Sequence, residues 1–405
     1  MEEKQEEKFD IAVVGGGPAG LSAAYAAAKS GAKVVLFEKD QSIAHNIRTS
    51  GVTWISEMER LGIPSKFYNP IQNYRFVSPS NDVLITGDVS QSCVLDIRAM
   101  YQHLSVLAAK EGAQLKVKSN VINVIKDGHR VVGVKASTPE GMLNVRSTLV
   151  IDASGFSTSV GRKAGVVGQW KRYGIGVEYE CYCDDIDSMT WVLMVGQKYS
   201  DAGYAWVFPL SPNRIRIGVG IGRPESNADP VEKLHKIIEK RFKPLDAIGD
   251  GKIQPLELHY GFIPNEGVRR SSIADGLIMV GDAAGQSNPL VPEGIRYAIE
   301  FGRLAGKVGA DSLSKNSDVE SLLEYERCWR AKAESKIQSA LKVQMRWLGL
   351  TDEEWDKELE ILRNMTVEEF LDFIRADFTR ANMMKLALHH PKMAARQLFN
   401  MILKR

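Results

Sequence analysis

Apolar residues fall in short unbroken blocks near the N-terminus and in alternation farther along, and this change of period marks how the chain is organised. Positions 9–14 form an apolar block that runs into glycines, 21–30 are rich in alanine and end at Gly31, and 33–38 form a second block. Short blocks bounded by glycine predict buried strands, and the alanine-rich stretch predicts a helix. Strand, glycine turn, helix and strand within about 30 residues make a βαβ unit and a parallel sheet. A loop with His45 and Arg48 follows, then predicted helices over 53–61 and 97–112. Two strands over 114–137 meet at the hairpin signal Asp127-Gly128, and 149–153 is another buried strand.

From 174 onward the chain reads differently. Strands over 176–183, 191–195, 204–210 and 214–221, with a Ser211-Pro212-Asn213 turn, predict an antiparallel meander. A helix over 230–242 follows. The apolar block 277–280, ending in Gly281-Asp282, and a helix over 293–313 return to the opening style, so the meander is expected as an insertion. Beyond Asp318 only helices are predicted. The expected units are 9–165 with 265–315, then 166–264, then 316–405, in keeping with roughly 150 residues per domain.

Composition narrows the function classes. With 44% hydrophobic and 25% charged residues the chain is an ordinary globular protein. Lys and Arg number 52 against 50 Asp and Glu, a net charge of +2, which argues against a nucleic-acid partner. Four cysteines without paired spacing suggest neither a disulfide scaffold nor a metal site. No apolar core follows a basic start at the N-terminus, so a cytoplasmic location is expected. The uncharged stretch 11–28 has the length of a membrane span, but its glycines and Pro18 favour strand, turn and helix.

Two motifs carry chemistry. Gly15-x-Gly17-x-x-Gly20 joins a predicted strand to a predicted helix, and Glu38 ends the next strand. That is the dinucleotide fingerprint in its structural context: glycines for the turn and for close approach of a pyrophosphate, a helix N-terminus for the phosphates, a carboxylate for a ribose. The second motif, Gly276 to Ala284, sets Asp282 after a buried strand and a glycine, with Pro289 and Gly294-Ile295 at the start of a helix.

Together with Asp152-Ala153-Ser154-Gly155, these landmarks resemble the p-hydroxybenzoate-hydroxylase-type FAD flavoproteins. Within that class the chain is similar, over about 9–313, to the geranylgeranyl reductase family, digeranylgeranylglycerophospholipid reductases among them. The most specific piece is Gly203-Tyr204-Ala205-Trp206-Val207-Phe208-Pro209, which matches the family's Y-x-W-x-F-P signature. The resemblance implies an α/β fold: a Rossmann-like FAD-binding domain, an inserted antiparallel-sheet substrate domain and a helical C-terminus. It implies FAD contacts at Gly15, Gly17, Ala19, Gly20, Glu38, Arg48, Thr49, Ser50, Gly51, Arg98, Val121, Asp282, Gly294 and Ile295. Tyr204, Trp206 and Phe208 alternate on one face of a strand. They suit a polyprenyl chain, and they would equally serve as sheet core.

The implied activity is reduction of geranylgeranyl double bonds by hydride from reduced flavin, with an external electron donor, NAD(P)H or ferredoxin, because a single dinucleotide fingerprint is present. A flavin monooxygenase, a menaquinone side-chain reductase and a non-catalytic flavin binder are the alternatives. Thr49 stands where the family usually has a cysteine, Pro292-Glu293-Gly294 where many members have three glycines, and Asp201 replaces the proline that usually opens the aromatic signature. Glu293 and His45 are the candidate proton donors. The segment 381–405 carries five basic and no acidic residues among many apolar ones, the pattern of peripheral binding at a membrane's inner face or of a terminal helix packed on the protein.

Overall fold

In the computed structural model, which describes residues 5–184, 186–241, 245, 253–378 and 380–391, the opening unit is strand Gln5–Val14, helix Pro18–Lys29 and strand Val34–Phe37. The first strand pairs in parallel with Val34–Phe37 on one side and Gly141–Asp152 on the other. The sheet runs in the order Ile273–Ala274, Leu277–Met279, Gly141–Asp152, Gln5–Val14, Val34–Phe37, Gln114–Lys116, and the hairpin Asn120–Asp127 with Arg130–Thr138 hangs from Gly141–Asp152. Both faces are covered, which is why the strands are unbroken apolar blocks: Ile11, Ala12 and Val13 are all fully buried.

Helix Ile295–Ser312 lies directly on helix Pro18–Lys29. The approach is so close that a Cβ on Gly302 would stand 2.4 Å from the Ala19 carbonyl oxygen. Small residues at this crossing bring the segment around Asp282 and Gly294 to the side of the Gly15 turn, although more than 260 residues separate them in sequence.

The second sheet corrects the sequence reading. Its order is Gln254–Pro264, Tyr173–Tyr182, Arg214–Arg223, Gly203–Ser211, Thr190–Val195, Asn73–Val77, Asp82–Thr86. The four expected strands are there, but Thr190–Val195 pairs in parallel with Asn73–Val77, so the sheet is mixed and borrows a hairpin from upstream of 166–264. Strand Gln254–Pro264 was not expected either. It is an edge strand whose apolar residues meet solvent, with Leu256 58% and Tyr260 51% exposed, so no buried alternation announces it. The helix expected over 53–61 begins as strand Val52–Trp54, held by Ser92–Leu95, and only Ile55–Arg60 is helical.

One face of this sheet is covered by helix Pro230–Glu239 through Leu234 and Ile237. Residue 242 of the helix expected over 230–242 lies outside the described residues. The other face carries Trp206 and Phe208 and meets helices Asp352–Leu362 and Val367–Ile374. Both begin with a capping box, Thr351 with Glu354 and Thr366 with Glu369, which fixes where they start over the sheet. The C-terminus is helical as expected, through Arg380–His389. Positions 392–405 of the basic stretch 381–405 lie outside the described residues. Among the described residues no helix is long and apolar enough to cross a membrane, and 11–28 is the end of a strand, a turn and a helix.

Candidate active site

The two sheets and the C-terminal helices enclose one cavity of about 1590 Å³. Its first half is built on the βαβ unit. Gly15 has φ +112°, a conformation glycine adopts without strain, and a Cβ there would lie 2.3 Å from the Ala153 carbonyl oxygen. Gly17 faces open space. No side chain caps helix Pro18–Lys29, so its first N–H groups are available to an anion at the cavity wall. The Glu38 carboxylate, at the end of the second strand, accepts the Gly16 N–H at 2.7 Å and the Asp40 N–H at 2.8 Å. Arg48, Thr49, Ser50 and Val121 line the same half, with Asp282, Gly294 and Ile295 opposite.

Asp282 lies on the cavity wall, and no protein donor bonds its carboxylate among the described residues. Burial pushes its pKa up to about 6. An unpartnered carboxylate here, a glycine cradle and an open helix end are the features an extended FAD requires, hydroxyls against the acid and phosphates against the helix. The shift also predicts a pH dependence. The folded carboxyl binds its proton more tightly than the unfolded one, so in flavin-stripped protein this group's contribution to stability is present below about pH 4 and is lost as pH rises through about 6. Thermal unfolding across that window should show a declining melting temperature in the wild type and a flatter profile in Asp282→Asn. Identical slopes would contradict the assignment.

The second half of the cavity is apolar. Leu193, Tyr204 and Trp206 form its floor, and Val343, Trp347, Leu362, Phe370 and Phe373 from the C-terminal helices form its roof. Tyr204, Trp206 and Phe208 lie on one face as expected, with ring centroids 5.8 and 5.9 Å apart in succession. Trp206 lies flat over the neighbouring strand because residue 218 is glycine: a Cβ there would be 2.3 Å from the indole. The ring therefore reaches across to Tyr173–Tyr182, where its Nε1–H donates to Glu178 Oε2 at 2.9 Å.

Several expected contacts do not reach the cavity. Phe208 is buried against Trp191 and Trp206. Gly20 and Gly51 lie behind the wall, Gly20 so close that a Cβ would meet the Gly15 carbonyl oxygen at 1.9 Å. Arg98 turns to Glu257, 2.7 Å away, and donates to the Ala44 and His45 carbonyl oxygens. His45 is exposed and hydrogen-bonds Gln41. Glu293 turns from the cavity to Arg296, at 2.9 Å. Asp152 is fully buried and ties the turn after it, accepting from the backbone N–H groups of Ser154, Val160 and Gly161. What sequence reasoning missed are the roof residues and two buried polar groups on the wall, Glu178 and His259. Glu178 and Glu180 in an apolar strand, two residues apart and so on one face, were the available signal.

Known proteins resemble this chain over most of its length. Residues 10–244 match the family model for FAD dependent oxidoreductases. Digeranylgeranylglycerophospholipid reductase 1 of Methanococcoides burtonii is 30% identical over 92% of this chain and 92% of its own, and the reductase of the same name from Methanocaldococcus jannaschii is 32% identical over 87% and 90%. A geranylgeranyl bacteriochlorophyll reductase-like protein of Thermoplasma acidophilum superposes with TM-score 0.85 at 26% identity, covering 96% of this chain and 98% of that one. The flavin-dependent brominase Bmp2, at TM-score 0.69, 19% identity and coverage of 96% and 99%, shares the fold. The chain belongs to the FAD dependent oxidoreductases, in the family of the digeranylgeranylglycerophospholipid reductases.

Proposed function

We propose that the protein saturates double bonds of geranylgeranyl chains on membrane lipids such as digeranylgeranylglycerophospholipid. The observation that carries this reading is the continuity of the cavity: the wall that fits FAD opens without a barrier into an apolar chamber floored by Tyr204 and Trp206. Each methylene buried there contributes on the order of 0.8 kcal/mol, so a long polyprenyl chain is held by its hydrocarbon alone. Reduced FAD supplies the hydride when bound. Gly15, Gly17, Ala19 and the N-terminus of helix Pro18–Lys29 would hold its phosphates, Glu38 a ribose, Asp282 the ribityl hydroxyls, and Thr49, Ser50, Gly294 and Ile295 the ring system. The roof residues Trp347, Phe370 and Phe373 keep water from the alkene.

The electrons come from an external donor. Exposed Leu256, Leu258, Tyr260 and Phe262 form a row on the edge strand, and the last two also line the cavity, which supports peripheral docking at the inner face of the membrane and entry of the lipid from there. Anaerobic incubation with dithionite and a panel of geranylgeranyl lipids, read by mass, should give products heavier by two hydrogens per double bond. Oxygen consumption with NAD(P)H and a product heavier by one oxygen atom would instead make the protein a monooxygenase.

A further inference from the structure

We propose that Glu178 and His259 are the proton source of the alkene reduction, Glu178 as the acid at the substrate and His259 as the group that refills it; this rests on the reductase reading above. Both side chains line the cavity, and both are almost fully buried, at 3% and 2% exposure. They stand opposite each other on paired strands, with His259 Nδ1 3.0 Å from Glu178 Oε1. The other oxygen of Glu178 accepts from Trp206, the ring on which the polyprenyl chain would lie. His259 Nε2 points the other way. It stands 3.4 Å from Glu257 Oε2, too loosely placed to form a hydrogen bond, and the Glu257 side chain is 34% exposed. Glu257, His259 and Glu178 thus make a chain from solvent to the cavity.

The surrounding charges leave this pair as the place for a mobile proton. Glu180 is held by Arg214 and Arg216, Glu257 by Arg98, and Arg216 also stands 3.8 Å from Glu178 while donating to the Ser50 and Leu95 carbonyl oxygens. Three carboxylates, Glu178, Glu180 and Glu257, face three guanidiniums, Arg98, Arg214 and Arg216. On the flanking strand Arg214 and Arg216 are turned to Glu180, and the residue directly opposite Glu178 is Gly218, with Trp206 beyond it, so the group hydrogen-bonded to the inner oxygen of Glu178 is His259. Asp282 is the carboxylate placed against the ribityl hydroxyls above, and the other competing groups are engaged within the protein. Burial drives the Tyr204 phenol far above its ordinary range, the Glu38 carboxylate is bonded to backbone N–H groups, and the Glu358 carboxylate to Arg346.

The π pair of a trisubstituted alkene takes the proton from the Glu178 carboxyl at its less substituted carbon, which leaves the positive charge on the tertiary carbon. FAD, when bound and reduced, would supply the hydride and its electron pair to that carbon, so the alkene gains two hydrogens for a two-electron oxidation of the cofactor. The Glu178 carboxylate recovers a proton from His259, and His259 from solvent past Glu257. The faces of Tyr204 and Trp206 stabilise the positive carbon as they would any cation at van der Waals distance.

Glu178→Gln keeps an acceptor for the Trp206 N–H and removes the transferable proton. It should retain FAD and lower geranylgeranyl reduction by about 100-fold or more. The limb on which the wild-type rate falls with rising pH should be absent. A second readout needs no substrate: the exchange-protected ring N–H resonance of His259 in 15N-histidine spectra, assigned by its loss in His259→Gln, should disappear in Glu178→Gln. Wild-type activity with an unimpaired Glu178→Gln of unchanged pH profile would overturn the proposal and leave the reductase reading standing. Should the wild type reduce no geranylgeranyl lipid, that reading falls, and a His259 resonance untouched by Glu178→Gln would overturn the proton pair as well. If Glu178→Gln loses its flavin, Glu257→Gln at the surface decides: activity lost selectively at high pH supports the route, and an unchanged profile overturns it.

Discussion

Gly15→Ala should yield a protein that purifies without flavin. At φ +112° an alanine is strained, and its methyl group would be driven into the Ala153 carbonyl oxygen 2.3 Å away, between two strands that cannot separate without breaking their ladder. Backbone strain and overpacking together cost about 2 to 6 kcal/mol. Gly17→Ala is the contrast. Its Cβ meets nothing within 4 Å in the protein and projects into the cavity, so the fold should keep its stability while FAD affinity falls. Denaturant unfolding and a flavin fluorescence titration on the two variants separate the effects. A yellow Gly15→Ala protein with unchanged stability would contradict the account of the turn.

Trp206→Ala should be the most damaging single change in the apolar half. It removes a ring that stacks on Phe208 and meets Tyr204 edge to face, uncovers Gly218 and leaves Glu178 Oε2 without its donor. Truncating a buried tryptophan costs about 3 to 5 kcal/mol through lost burial and the cavity left behind. Trp206→Phe keeps most of the ring and loses only the N–H, at about 1 to 3 kcal/mol for the orphaned acceptor. Both should weaken retention of geranylgeranyl lipid, and alanine should do so far more. Equal losses in the two variants would show that the hydrogen bond to Glu178, and not the ring, governs the chamber.

The parts of this architecture that were legible in the sequence are those specified locally. The Gly15 turn, the block before Asp282 and the alternation at Tyr204 and Trp206 each declare themselves within a dozen residues, because turn geometry and strand period are local properties. The roof over the chamber is not local: nothing in 343–373 alone says that Val343, Trp347 and Phe373 look onto a strand more than 130 residues earlier. The hairpin of Asn73–Val77 and Asp82–Thr86 joins the second sheet through a parallel pairing that only the tertiary fold makes possible. Glu293 and His45 sit next to flavin motifs in sequence, yet their directions are set by Arg296 and Gln41, which turn them from the cavity. Glu178 shows the converse. Its strand reads as sheet core, and only its pairing with His259 and Trp206 gives the carboxylate a place on the wall.

The most direct test is a single turnover. Enzyme whose FAD has been fully reduced is freed of excess reductant and mixed, without oxygen, with a geranylgeranyl lipid, while flavin absorbance and lipid mass are followed together. The lipid alone should reoxidise the flavin, with one double bond saturated for each flavin oxidised. Flavin that stays reduced in the presence of the lipid and reoxidises only when air is admitted would contradict it.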